Sequence, residues 1–136
     1  MNKPIVLSFD LGRKGAWYIS NYKYGEEVKM CSLVKLEKLV KDLTELYKPD
    51  IIQYPPPVRH RNTMALHFQF IGVINLIAEK KGIKIVKIAD NHAKAVVLKN
   101  GRAKKEDVMK HFKQKSEHLA DAMMFNECFL IEYNDK

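Results

Sequence analysis

Residues Ile5-Val6-Leu7-Ser8-Phe9-Asp10-Leu11-Gly12 form a short apolar run that ends in one carboxylate and, two residues on, a glycine. Hydrophobicity from Ile5 to Phe9 predicts a strand buried on both faces, and an unpaired carboxylate at the end of such a strand is costly. Something cationic has to meet Asp10. A metal ion satisfies that demand, and Gly12 lets backbone or ligand approach closely. The competing reading is a turn aspartate at a strand end, for which Asp-x-Gly is ordinary composition.

The 136-residue length predicts a single α/β domain spanning residues 1–136, large enough to bury a core without disulfide or metal staples. With 24 Lys+Arg against 16 Asp+Glu the net charge is +8, which favours a polyanionic partner, nucleic acid first. A membrane surface is the weaker candidate, because no segment pairs a basic face with an exposed apolar one. The most apolar window, Phe70 to Ala78, is broken by Gly72 and Asn75 and is too short to span a bilayer. Cys31 and Cys128 stand in apolar segments without CxxC spacing, which predicts buried, reduced thiols and a cytoplasmic setting, in a bacterial cell or the host of a phage or virus.

The hydrophobic period divides the chain. Ile5–Phe9, Ala16–Ile19 and Glu26–Leu33 alternate or run apolar between turn residues, predicting an antiparallel meander. From Lys35 the period becomes helical through Leu36, Leu39, Val40, Leu43, Leu46 and Tyr47, and Pro49 stops it. Ile51–Tyr54 is a short buried strand closed by Pro55-Pro56-Pro57. A helix capped at Asn62 or Thr63 runs to about Lys81 with apolar residues on more than one face, which predicts a homodimer through residues 62–81. Gly82 ends it, Ile83–Ala89 is a fifth strand, short helices cover Asp90–Leu98 and Lys104–His111, and Ser116 caps a final helix. Trp17, Tyr54 and Phe68 are expected in the core, His67 on a helix surface or an interface, and His92 and His111, without acidic or cysteine neighbours at metal spacing, on the surface.

This β-β-β-α-β-α-β-α order, with Asp10 on strand one, Gln53 on strand four and His118 and Asp121 one turn apart on the last helix, resembles the ribonuclease H superfamily. Within it the chain resembles the RuvC family of Holliday-junction resolvases. The likeness extends through Lys94-Ala95-Val96-Val97 and Gly101-Arg102-Ala103-Lys104-Lys105-Glu106-Asp107-Val108 to His118-Leu119-Ala120-Asp121-Ala122. The resemblance implies a central five-stranded mixed sheet. It also implies a homodimeric endonuclease that resolves four-way and other branched DNA with two Mg²⁺ ions per site, Mn²⁺ substituting.

By the same resemblance the ligands are Asp10, the strand-four position held here by Gln53, His118 and Asp121. Glu117, four residues before Asp121, competes with His118, which can either ligate or position water. Gln53 departs from the family's glutamate: an amide offers a neutral oxygen to a hard cation, so the substitution inactivates the site or weakens its second metal position. Lys105 and Lys94 match lysines used near the scissile phosphate, and Arg102 and Lys104 extend that segment, against the alternative that each is merely solvated. Arg59, His60 and Arg61 follow strand four where the family inserts groups at the junction centre, and the usual aromatic wedge is absent.

Three other readings fit parts of the pattern. One is a branched-DNA-binding module of the same fold that cuts poorly, and another is an RNase H-like nuclease on a different nucleic acid. Phe9-Asp10-Leu11-Gly12 also resembles the first phosphate loop of actin-type ATPases, but the chain is too short for their duplicated domain and lacks the second loop.

Overall fold

The computed structural model describes residues 3–30, 32–57 and 64–135. Strands β1 (Val6–Asp10), β2 (Lys14–Ile19), β3 (Tyr24–Lys29), β4 (Ile51–Tyr54) and β5 (Lys84–Lys87) form one sheet in the order β3-β2-β1-β4-β5. β1 pairs antiparallel with β2 and parallel with β4, so the expected mixed sheet is present with β1 at its centre. Its uninterrupted apolar run suits a strand covered on both faces. β3 is an edge strand and carries Glu26, Glu27 and Lys29 exposed, which blunts it against further pairing. The meander packs so closely that a Cβ on Gly15 would lie 2.3 Å from the Asp10 carbonyl oxygen, a position only glycine can fill.

Alternation along β1 sorts the two faces. Leu7 and Phe9 join Trp17, Ile19, Ile52 and Tyr54 in a core closed by helices α1 (Leu33–Tyr47) and α2 (Met64–Lys81). Ser8 and Asp10 point to the other side, covered by α3 (Asp90–Leu98), α4 (Lys105–Phe112) and α5 (Glu117–Asn134), whose own cluster includes Ala93, Val108, Met124, Phe125 and Cys128. Gly82, at φ 69°, ends α2 in the left-handed conformation, and Ile83 N–H bonds back to the Ala78 carbonyl at 2.9 Å.

Several expectations are corrected. Ser32, assigned to the third strand by its alternation, is the N-cap of α1: its hydroxyl accepts from Lys35 N–H at 3.1 Å, so the helix starts two residues before Lys35. Leu46 is 69% exposed although it fits the apolar period, because α1 buries only the narrower stripe of Leu36, Val40, Leu43 and Thr44. Phe68, expected in the core with Tyr54, is 57% exposed: it is on the outward side of α2, while Tyr54 is buried and donates to Asn75 Oδ1 at 2.7 Å. Cys128 is a buried free thiol, and burial together with the Glu132 carboxylate pushes it up to about 12. Cys31 and the Asn62 or Thr63 cap lie outside the described residues. Among the described residues no helix is long and apolar enough to cross a membrane.

One polar network bolts α5 to the sheet. Buried Asn126 donates through Nδ2 to the Val6 carbonyl at 2.9 Å and to Ser8 Oγ at 3.0 Å, and Ser8 Oγ donates in turn to Gln53 Oε1 at 2.6 Å. Removing one member leaves buried partners unsatisfied. Asn126→Ala is therefore expected to destabilise the fold by about 1–3 kcal/mol, read as a lower urea midpoint at unchanged slope.

Candidate active site

Because β1, β4 and β5 are parallel, residues just beyond their carboxyl ends converge on one edge of the sheet, where open α/β sheets form their crevices. Asp10 ends β1, Pro55 and Pro56 follow β4, and Asp90 begins the helix after β5. Together with the first turn of α5 they border a cleft of about 380 Å³. Lys14 of β2, His67 of α2, Lys94 of α3, Lys105 of α4 and Glu117, His118 and Asp121 of α5 complete its polar lining, with Phe125 as an apolar wall.

Ser116 starts α5 by accepting from Leu119 N–H at 3.1 Å, and its hydroxyl also bonds the Glu27 carboxylate of β3, so the entry of the helix is tied to the sheet. His118 then points its Nδ1 at Asp10 Oδ2, 2.7 Å away. Asp121, three residues on, faces the same cleft. Lys105 Nζ lies 3.2 Å from Glu117 Oε2, and Lys94 Nζ lies 2.8 Å from Asp90 Oδ2.

The electrostatics are those of carboxylates crowded in a partly dry site. Burial raises Asp10 above the usual carboxylate range even though the hydrogen bond and charge of His118 pull it down. His118 is raised in its turn, chiefly by its hydrogen bond to Asp10. Asp121 is pushed up to about 7, first by burial and then by the charges of Asp10 and Asp90. Asp10 and Asp121, both raised by burial and by neighbouring carboxylate charge beside an imidazole, are donors a hard divalent cation would relieve. Asp10, Asp121 and His118 are thus chemically fit to hold such an ion.

The residues singled out in the sequence divide into groups. Asp10, His118, Asp121, Lys94 and Lys105 meet in the cleft, and Glu117 also lines it but is engaged by Lys105, while His118 takes the place beside Asp10. Gln53 does not line the cleft opposite Asp10, as the register in sequence suggested. It pairs with Ser8 one step deeper along β1, is 1% exposed, and its Oε1 is occupied by the Ser8 hydroxyl. Its Nε2 has no hydrogen-bond partner among the described residues. Arg102 and Lys104 are exposed on the loop before α4, outside the cleft lining, and Arg59, His60 and Arg61 lie outside the described residues.

Sequence reasoning missed Lys14, His67 and Asp90. Asp90 carried a usable signal, an acidic first residue of a helix directly after a strand parallel to β1. His67 carried none, since its approach to Asp10 depends on how α2 returns across the sheet.

No protein-family model matches the sequence, and no curated relative matches it. Solved structures do match. RuvC of Thermus thermophilus superimposes with a TM-score of 0.74 over 96% of this chain and 96% of its own, at 17% identity. The chain has the RuvC fold. T. thermophilus RuvC in complex with a Holliday junction substrate aligns with a TM-score of 0.70 over 98% of this chain and 96% of its own, at 14% identity. With identity this low, the RuvC likeness rests on the path of the backbone, which explains why the order of elements in the sequence carried the resemblance where residue matches could not.

The raised Asp121 has a consequence for stability. Its folded value of about 7 lies above the ordinary aspartate value of 3.8, so the native state retains a proton that the unfolded chain has lost, and stability falls as pH rises between these values. In EDTA, Asp121→Asn is expected to remove that slope and to stabilise the protein at pH 8 by on the order of 2–3 kcal/mol. Urea unfolding at pH 5 and pH 8 checks it: equal stability differences at the two pH values contradict the assignment.

Proposed function

We propose that this chain is a structure-selective endodeoxyribonuclease that hydrolyses phosphodiesters in branched DNA, four-way junctions first. The observation that carries the reading is the joining of Asp10, His118 and Asp121 in one cleft with Lys94 and Lys105 on its walls. The RuvC fold, one of whose members was solved with a Holliday junction substrate, and the net charge of +8 support it.

Asp10, Asp121 and His118 would hold Mg²⁺, with Mn²⁺ as substitute, and a bound pair of ions supplies an activated water and a counter-charge for the leaving 3′ oxygen. The protein's own groups do the remaining work. His118 holds the Asp10 carboxylate in place through Nδ1, and its imidazole would either ligate the ion or orient the attacking water. Lys105 and Lys94 each leave an acidic partner to meet non-bridging phosphate oxygens, and Arg102, Lys104, Arg59 and Arg61 hold phosphates further along the strands. Gln53 fixes Ser8, and through Ser8 and Asn126 the seating of α5 beneath the cleft.

Cleavage of a synthetic four-way junction with and without Mg²⁺ tests the reading. Asp10→Asn is expected to lower the rate roughly 100-fold or more while junction binding persists. Gln53→Glu sets its carboxylate beside Ser8 and off the cleft lining, and is expected to change the rate far less than Asp10→Asn does. The second reading, a branched-DNA-binding module without efficient cleavage, is favoured by the burial and Ser8 bond of Gln53. Tight junction binding with no Mg²⁺-dependent nicking in either the parent or Gln53→Glu would select it.

A homodimer through α2 completes the proposal. The outward side of α2 carries Ala65, Phe68, Gly72 and Leu76 at helical spacing, and nothing lies within 4 Å of a Cβ built on Gly72, so a second helix can approach closely. Two sites related by a two-fold axis suit paired cuts. Phe68→Glu is expected to convert the dimer to monomer in sedimentation and to abolish paired resolution while single nicks remain. A parent chain that sediments as a monomer rules out this interface.

A further inference from the structure

His92, Cys128 and Glu132 lie outside the cleft, yet His92 Nε2 is 3.0 Å from Glu132 Oε1 and Cys128 Sγ is 3.3 Å from the same oxygen. One ligand atom from each of the three lies within 4.8 Å of the others. From this cluster we propose a second, distinct metal site that takes a borderline-soft cation of the Zn²⁺ class and clamps α3 to α5.

Ligands roughly 2.0–2.3 Å from a zinc ion stand about 3.3–3.8 Å from one another. The separations of 3.0 and 3.3 Å to the Glu132 oxygen are near that range, and the His92 and Cys128 donor atoms, within 4.8 Å of each other, close the set by side-chain rotation. Cys128 and Glu132 are one helical turn apart on α5 and therefore share a face, while His92 enters from the first turn of α3, which packs against that face. The thiol is buried beneath, and the imidazole and carboxylate are partly exposed above it, leaving the fourth position to water. Sulfur and imidazole donors select against Mg²⁺, so this trio does not compete for the ion proposed in the cleft. On binding, the Cys128 S–H bond breaks, its proton leaves to solvent and the sulfur's electron pair goes to the metal.

The position gives the clamp a purpose. His92 lies midway between Asp90 and Lys94, both of which line the cleft. His118, Asp121, Phe125, Cys128 and Glu132 continue at helical spacing along one side of α5. A metal at the lower end of that stripe fixes the start of α3 against α5 and with it the distance from Asp90 to Asp121.

Titrating the full-length, EDTA-stripped protein with Co²⁺ tests it. The expected result is a thiolate-to-cobalt charge-transfer band that saturates at a single ion per chain, is displaced by Zn²⁺ and resists excess Mg²⁺. The band should persist in Cys31→Ser and vanish in Cys128→Ser and His92→Ala. His92 is partly exposed and its loss is compatible with folding, which circular dichroism checks independently. No band at millimolar Co²⁺, or a band unchanged in a folded His92→Ala variant, overturns the site. Zn²⁺ should also raise the melting midpoint of the parent and leave that of His92→Ala where it was.

Discussion

The carboxylate of Asp10 stands at the end of the central strand, 17% exposed, with an imidazole nitrogen 2.7 Å from one of its oxygens. A buried charge there is tolerable only when an opposite charge or a good donor meets it. That requirement fixes where α5 begins. His118 meets Asp10 at the rim, and two turns further on Asn126 grips the Val6 carbonyl and the Ser8 hydroxyl beneath the same sheet face. With two polar anchors on one strand, α5 can neither slide nor rotate without orphaning buried groups, so the cleft inherits a rigid floor.

Charge is arranged on two scales. The chain as a whole is strongly basic, whereas the cleft holds the four carboxylates of Asp10, Asp90, Glu117 and Asp121, with Lys14, Lys94, Lys105, His67 and His118 among them. The surface excess of cations draws in a polyanion over long range, and it is screened by salt. The local excess of carboxylates does the opposite for phosphate and favours a divalent cation instead. Lys94 and Lys105, each paired with an acidic neighbour, stand between the two regimes.

Much of the fold was legible because its signals are local. Strand β1 is an apolar run, α1 follows a helical period to Tyr47, two residues before Pro49, and Gly82 at positive φ ends α2 as expected. Errors arose where a local pattern admits two uses. Ser32 fits an alternating strand, but its hydroxyl serves better as a helix cap. Phe68 is as apolar as Tyr54, yet only the rotation of α2 against the sheet decides which ring is covered. Gln53 was placed correctly on β4, and only the Ser8 pairing revealed that its oxygen is already taken.

The sequence by itself determined the elements, their order and the buried carboxylate that needs a partner, because hydrophobic period, breakers and caps act over a few residues. It did not determine who the partners are. His118 lies 108 residues from Asp10, and Glu132 lies 40 from His92. Such neighbours are set by strand order, by the parallel pairing that brings three strand ends to one edge and by the angle at which each helix returns. These are properties of packing the whole chain at once, and only the tertiary structure decided them.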